Sequence, residues 1–191
     1  MLPRARKRFG QHFLTDAHYL ARIVAAIDPK PGDSMVEIGP GTGILTAKLA
    51  AVVDKLHVVE IDRDLAAALR GNFPPGKVVV HEADALDFDF TSLESPLRVV
   101  GNLPYNVSTP ILFRIAEIAD RLRDCVFMLQ REVVERMVAA PDTADYGRLS
   151  VMLQYRFAMD SPSSSLAPTT LVGCLKDGSM LPNVIDTSNP C

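Results

Sequence analysis

Apolar positions along the chain follow two spacings. Tyr19, Leu20, Ile23, Val24 and Ile27 recur at helical intervals and predict a helix from Thr15 to Ala26, with Thr15 or Asp16 as its candidate cap. The stretch Asp28-Pro29-Lys30-Pro31-Gly32-Asp33 ends it, because two prolines and a glycine break the pattern. Beyond this break, short apolar runs alternate with further helical patterns. Met35–Ile38, Leu56–Ile61, Val78–His81, Arg98–Gly101 and Cys125–Leu129 predict five strands. Helices are predicted at Ile44–Val52, from Leu65 to Arg70, at Pro110–Ala119, at Glu132–Ala139 and at Leu149–Phe157. This alternation predicts an α/β domain with a mostly parallel sheet.

The pattern fades after Asp160. The last stretch, 161–191, opens on clustered Ser and Pro, has no aromatic residue and carries Lys176 as its single basic residue. The expected organisation is therefore a domain over 1–160, with a basic arm at 1–14, and a tail at 161–191 without regular structure.

Composition narrows the class. With 191 residues, of which 48% are hydrophobic and 23% charged, the chain can build one domain with a real core, which excludes wholesale disorder and fibrous repeats. No apolar run reaches the roughly 18 residues that span a bilayer, and the start MLPRARKRFG has no hydrophobic signal core. The three widely separated cysteines form neither a disulfide framework nor a metal-binding pattern, so a reducing, cytoplasmic setting is expected, and no metal. The net charge of −3 argues against an extended nucleic-acid surface. It leaves a local basic patch: Arg4, Arg6, Lys7 and Arg8, with no acid before Asp16.

Candidate chemistry gathers at predicted strand ends. Val36-Glu37-Ile38 runs into Gly39-Pro40-Gly41-Thr42-Gly43, and glycines at such a turn let a ligand approach the backbone at the switch point of an open sheet. The spacing G-x-G-x-G differs from the G-x-G-x-x-G of dinucleotide folds, which disfavours a nicotinamide oxidoreductase. Asp33 and Glu37 flank the turn in sequence, and acids suit a positively charged ligand such as S-adenosylmethionine better than a pyrophosphate. Glu60, ending the second strand, can accept both hydroxyls of a ribose. Asp84 can accept a hydrogen bond from an adenine amine, with a backbone donor at Ala85, or it can cap a turn.

The fourth strand ends in Asn102-Leu103-Pro104-Tyr105. The exocyclic amine of adenine is a poor nucleophile because its lone pair is delocalised into the ring. The Asn102 amide oxygen and a backbone carbonyl near Leu103 can hold the amine hydrogens and localise that pair. Pro104 stiffens the turn, and Tyr105 offers a face on which a base can stack.

Phe9-Gly10-Gln11-His12-Phe13-Leu14, the Glu37–Gly43 turn, Glu60, Asp84 and Asn102–Tyr105 occur in the order seen in ribosomal RNA adenine dimethyltransferases, and from about Arg6 to Asp160 the chain resembles that family. The resemblance implies a Rossmann-like class I S-adenosylmethionine-dependent methyltransferase fold. It also implies dimethylation of two adjacent adenosines in the 3′-terminal hairpin of small-subunit (16S) rRNA, within the immature 30S subunit. It places His12, Leu14, Gly39, Glu60, Asp84 and Asn102 against the methyl donor, with Gly41, Gly43, Ile61 and Ala85 in the same site. Asn102, Leu103, Pro104 and Tyr105 would face the target base, and Arg6, Lys7, Arg8 and Phe9 would lie near the RNA. A monomer with no membrane partner is expected. Family members usually continue with two more strands, the last antiparallel, and a small helical domain. The resemblance stops near Asp160, so the expectation is that the last strands and the C-terminal helical domain are lacking and the fifth strand is a sheet edge.

Two alternatives keep the fold. One is an RNA-binding assembly factor without catalysis, which the intact Asn102–Tyr105 motif disfavours. The other is a DNA amino-methyltransferase, which would show Asp/Asn-Pro-Pro followed by an aromatic residue.

Overall fold

All five predicted strands form and lie parallel: β1 (Ser34–Ile38), β2 (Leu56–Glu60), β3 (Val78–Glu82), β4 (Leu97–Asn102) and β5 (Leu122–Gln130). The computed structural model describes residues 17–104, 106–159 and 169–175. Helix α1 (Ala17–Ile27) precedes the sheet, α2 (Ile44–Ala50) follows β1, and α3 (Arg63–Asn72) follows β2. Helix α4 (Ser108–Glu117) joins β4 to β5, and α5 (Arg131–Val138) and α6 (Arg148–Arg156) follow β5. The proposed caps of α1, Thr15 and Asp16, lie outside the described residues.

Successive residues of a strand point to opposite faces, and here both faces are covered. Met35, Val58, Val100 and Val126 pack against Leu20 and Ile23 of α1 and Leu45 and Leu49 of α2. Val36, Val99, Phe127 and Leu129 pack against the α4, α5 and α6 side, where Ile111, Val134 and Leu153 are buried. Burial on both sides explains why the strands read as continuous apolar runs rather than alternating ones.

The sheet corrects the expectation about its end. Its order is β3-β2-β1-β4-β5-β7-β6, where β6 is Ala158–Met159 and β7 is Thr169–Leu175. Strand β7 pairs antiparallel with β5 from Asp124 to Gln130, and β6 pairs antiparallel with β7, so β5 is an interior strand and the last strands are present. The run Thr-Thr-Leu-Val-Gly-Cys-Leu is rich in residues that suit strands. The Ser/Pro cluster before it and Gly173 within it hid that signal.

At the amino ends of the strands, Arg98 of β4 gathers four partners. Its Nε donates to both carboxylate oxygens of Asp124 on β5 (2.9 and 3.0 Å), and its Nη1 donates to Asp33 before β1 (2.6 Å). The guanidinium also donates to the backbone carbonyls of Ile27 and Asp28 at the end of α1. The three charged side chains are each 3–4% exposed. Burial would raise the Asp33 carboxyl, but the Lys30 backbone N–H, Arg98 and Arg123 together hold it below its ordinary value. One side chain therefore fixes three strands and a helix. Replacing it, in Arg98→Met, leaves Asp124 without its cation and Asp33 with Arg123 alone, and should cost about 3–5 kcal/mol in urea unfolding. A loss under about 1 kcal/mol would show that the cluster is not a structural centre.

Candidate functional site

The chain leaves β1, builds β2 and β3 on one side, then crosses to β4 on the other side of β1. Connections that depart in opposite directions open a crevice at the carboxyl ends of β1 and β4, where ligands bind in open α/β sheets. The glycine turn lies on one wall of this crevice and Asn102, Leu103 and Pro104 on the other.

Gly39, Gly41 and Gly43 all have positive φ, at 66°, 59° and 83°. Only glycine takes this region readily, so the turn cannot be copied with side chains in place. Gly43 has a second constraint, since a Cβ there would stand 2.8 Å from Leu69 Cδ2 of α3. The backbone N–H of Gly39 donates to Val59 (3.0 Å), which seats the turn against the end of β2.

Glu60 ends β2 and is buried. Its Oε2 accepts from the Gly41 backbone N–H (3.0 Å) and its Oε1 from that of Asp62 (2.9 Å). Two of about four carboxylate acceptor positions are thus used to hold the side chain, leaving acceptor capacity for a ligand. Ile61, next to it, is 64% exposed, which puts an apolar side chain on the surface beside a fixed carboxylate.

Asp84 follows β3 and is half-buried. Its Oδ1 accepts from the Leu86 backbone N–H (2.9 Å), so the turn-capping role is realised on that oxygen. Ala85 is buried in the main apolar cluster. Asn102 is half-buried at the last position of β4, opposite Met128 of β5, and the Leu103 N–H donates to the Met128 carbonyl (3.2 Å). Leu103 is buried, and the Pro104 carbonyl accepts from Val107 as the chain turns into α4. Tyr105, His12, Leu14, Arg6, Lys7, Arg8 and Phe9 lie outside the described residues.

Two acids flank the glycine turn in sequence, and the structure separates them. Asp33 sits at the amino end of β1, in the Arg98 cluster, and so at the opposite end of the strand from the turn. This corrects the expectation that it lines the site. Glu37 stays. It is 2% exposed and accepts a hydrogen bond from Thr46 Oγ1 of α2 (2.7 Å). Burial pushes its carboxyl up to about 7; the Thr46 hydroxyl opposes this and the nearby Glu60 adds to it. A separate cleft of about 460 Å³, between Pro31, Asp54, His57 and Glu94, lies at the amino ends of β1 and β2; Asp33 lines this cleft rather than the crevice at the glycine turn.

Sequence reasoning missed Gly101, the residue that brings the two walls together. It lies opposite Ile38, and a Cβ on it would stand 2.5 Å from the Ile38 carbonyl oxygen. The available signal was a glycine inside a strand, which marks close backbone approach. Gly101→Ala should lower stability by about 1–3 kcal/mol, since a backbone atom must move to admit the methyl group. Gly71→Ala, in helix α3 with nothing within 4 Å of the added Cβ, should instead raise stability by up to about 1 kcal/mol in the same urea titration. Equal effects from the two substitutions would show that β1 and β4 can separate freely.

The geometry agrees with the comparisons. The family model for ribosomal RNA adenine dimethylase matches residues 3–169, past β6 and as far as the first residue of β7. Ribosomal RNA small subunit methyltransferase A of Aromatoleum aromaticum is 58% identical over 173 residues, covering 88% of this chain and 65% of that protein. The protein of the same name in Bordetella petrii is 64% identical over 156 residues, covering 82% of this chain and 60% of that protein. The chain thus spans a little under two thirds of the length of these relatives. Among solved structures, the 23S rRNA methyltransferase ErmE aligns with a TM-score of 0.70 at 25% identity, covering 90% of this chain and 72% of that one. A dimethyladenosine transferase from Plasmodium falciparum shares the fold, with a TM-score of 0.69 at 24% identity over 84% of this chain and 62% of that one. A family match across most of the described sheet, with relatives at about 60% identity, leads to one assignment: this chain belongs to the ribosomal RNA adenine dimethylase family.

Proposed function

We propose that the chain is an rRNA adenine N6,N6-dimethyltransferase, which transfers methyl groups from S-adenosylmethionine to two adjacent adenosines in the 3′-terminal hairpin of small-subunit rRNA, in the immature subunit. The observation that carries this reading is the placement of Asn102 at the end of β4, in the strand that lies beside the glycine turn. The names of the relatives, small subunit methyltransferases, support the substrate class.

The residues present suit the donor. Glu60, held by two backbone N–H groups, keeps acceptor capacity for ribose hydroxyls. Ile61 offers apolar surface to the adenine ring, and the second oxygen of Asp84 is suited to its amine. Glu37 places negative charge where the donor carries positive charge. When bound, S-adenosylmethionine supplies a methyl group on a cationic sulfur.

The protein's part in the transfer is positioning and electrostatics. The Asn102 amide oxygen accepts an N–H of the target adenine amine and turns its lone pair out of conjugation. The amine nitrogen bonds the methyl carbon as the carbon–sulfur bond breaks, and the amine proton then leaves to solvent. Tyr105 supplies a stacking face that holds the extruded base. A hairpin loop is a suitable target because an unpaired base costs less to extrude than a paired one.

The test is methyl transfer to immature small subunits from cells lacking the modification. Asn102→Ala should slow transfer by about 10²–10³-fold while donor affinity changes only a few-fold. Transfer at the wild-type rate in this variant would overturn the mechanism. A wild-type chain that binds the subunit and the donor without transferring methyl groups would establish the assembly-factor reading instead.

A further inference from the structure

The two ends of β1 treat buried carboxylates differently. At the amino end, Asp33 and Asp124 are matched by Arg98, with Arg123 adding a second cation on Asp33. At the carboxyl end, Glu37 is buried as deeply and has no cation among the described residues. Its hydrogen bond comes from a neutral donor, Thr46 Oγ1, at 2.7 Å, and Thr46 is itself 0% exposed. Burying an ion without a counter-charge is costly, so a cation bound beside Glu37 would gain the attraction that no described side chain supplies.

We propose that Thr46 is a positioning residue for the cationic part of the methyl donor: its hydroxyl hydrogen-bonds the Glu37 carboxyl and fixes it at the carboxyl end of β1. The proposal rests on the donor-site reading above and adds to it a residue outside the glycine turn. A methyl group in place of the hydroxyl would keep the packing and remove the donor, leaving Glu37 between burial and the Glu60 charge.

The surroundings set the sign of the effect. On β2 the facing charge is Glu60, which disfavours ionisation of Glu37. The only charged side chain on α2 is Lys48, which is exposed, and β4 has no charged residue from Val99 to Asn102. Helix α1, on the same face of the sheet, carries His18 and Arg22. With burial the largest influence and Thr46 the one opposing it, Glu37 titrates close to neutral pH. A cation bound beside it requires the ionised form, so affinity rises with pH through that range and then levels. Loss of the hydroxyl moves the rise upward, since a hydrogen bond to a charged group corresponds to about one to two pH units.

Two measurements test this on the whole chain. Carboxyl carbon NMR of the ligand-free protein follows Glu37 directly: its midpoint should lie near 7 in the wild type, rise by about one to two units in Thr46→Val, and return in Thr46→Ser. Calorimetric titration with S-adenosylmethionine from about pH 6 to 9 should show the same displacement in the affinity profile, and Glu37→Gln should bind weakly with no such rise. An unchanged Glu37 midpoint in Thr46→Val overturns the proposal. So does an affinity loss equal at every pH, which is what a packing defect produces. A shifted midpoint together with no binding by the wild type at any pH is a different failure: it removes the donor site, and with it the role assigned to Thr46.

Discussion

The site depends on how closely β1 and β4 approach. Ile38 and Gly101 are register partners, and the space a Cβ would fill on Gly101 is taken by the Ile38 carbonyl oxygen. Because nothing stands between these strands, the glycine turn after β1 and the Asn102 motif after β4 share one crevice. The Asn102 carbonyl oxygen lies 3.9 Å from the position of a Cβ on Gly39, so a side chain there would reach across to the backbone of the other wall. A ligand held by one wall is therefore presented to the other without any long side chain having to reach. In physical terms, orientation comes from packed backbone, which is rigid, rather than from rotamers, which must be fixed at an entropic cost.

The sheet separates structural from functional charge along its length. The amino ends are tied by Arg98, whose donors meet two carboxylates and two helix-end carbonyls, so that charge is buried with its partners. At the carboxyl ends, Glu37 and Glu60 are buried with no cation among the described residues, and both are held by neutral donors: a threonine hydroxyl for Glu37 and two backbone N–H groups for Glu60. In the proposed site, a bound cation supplies the counter-charge that these two acids lack among the described residues. Asp33 and Glu37, four residues apart, therefore have different surroundings: the first is paired with Arg98, the second is held by Thr46 at the proposed donor site.

Most of this was legible in the sequence because the domain is α/β with a doubly covered sheet. Continuous apolar runs such as Val99–Val100 and Cys125–Leu129 have little else to form, and the glycine turn announces a strand-to-helix passage. Three features were not legible. Strand β7 follows a Ser/Pro-rich stretch and contains a glycine, and its strand character comes from pairing along the whole of Asp124–Gln130 rather than from a strong local pattern. Asp33 stands four residues from Glu37, but a strand carries those residues to opposite ends, so proximity in sequence misled. Thr46 is reached only through the packing of α2 on β1, a tertiary contact that no spacing encodes.

The most direct measurement is a calorimetric titration of the chain with S-adenosylmethionine, using NAD as a control ligand. The account predicts saturable binding of one S-adenosylmethionine per chain and no binding of NAD, because the crevice offers buried carboxylates and a G-x-G-x-G turn rather than a pyrophosphate cradle. A folded chain that bound NAD, or that bound neither ligand, would contradict the assignment of this crevice as a methyl-donor site.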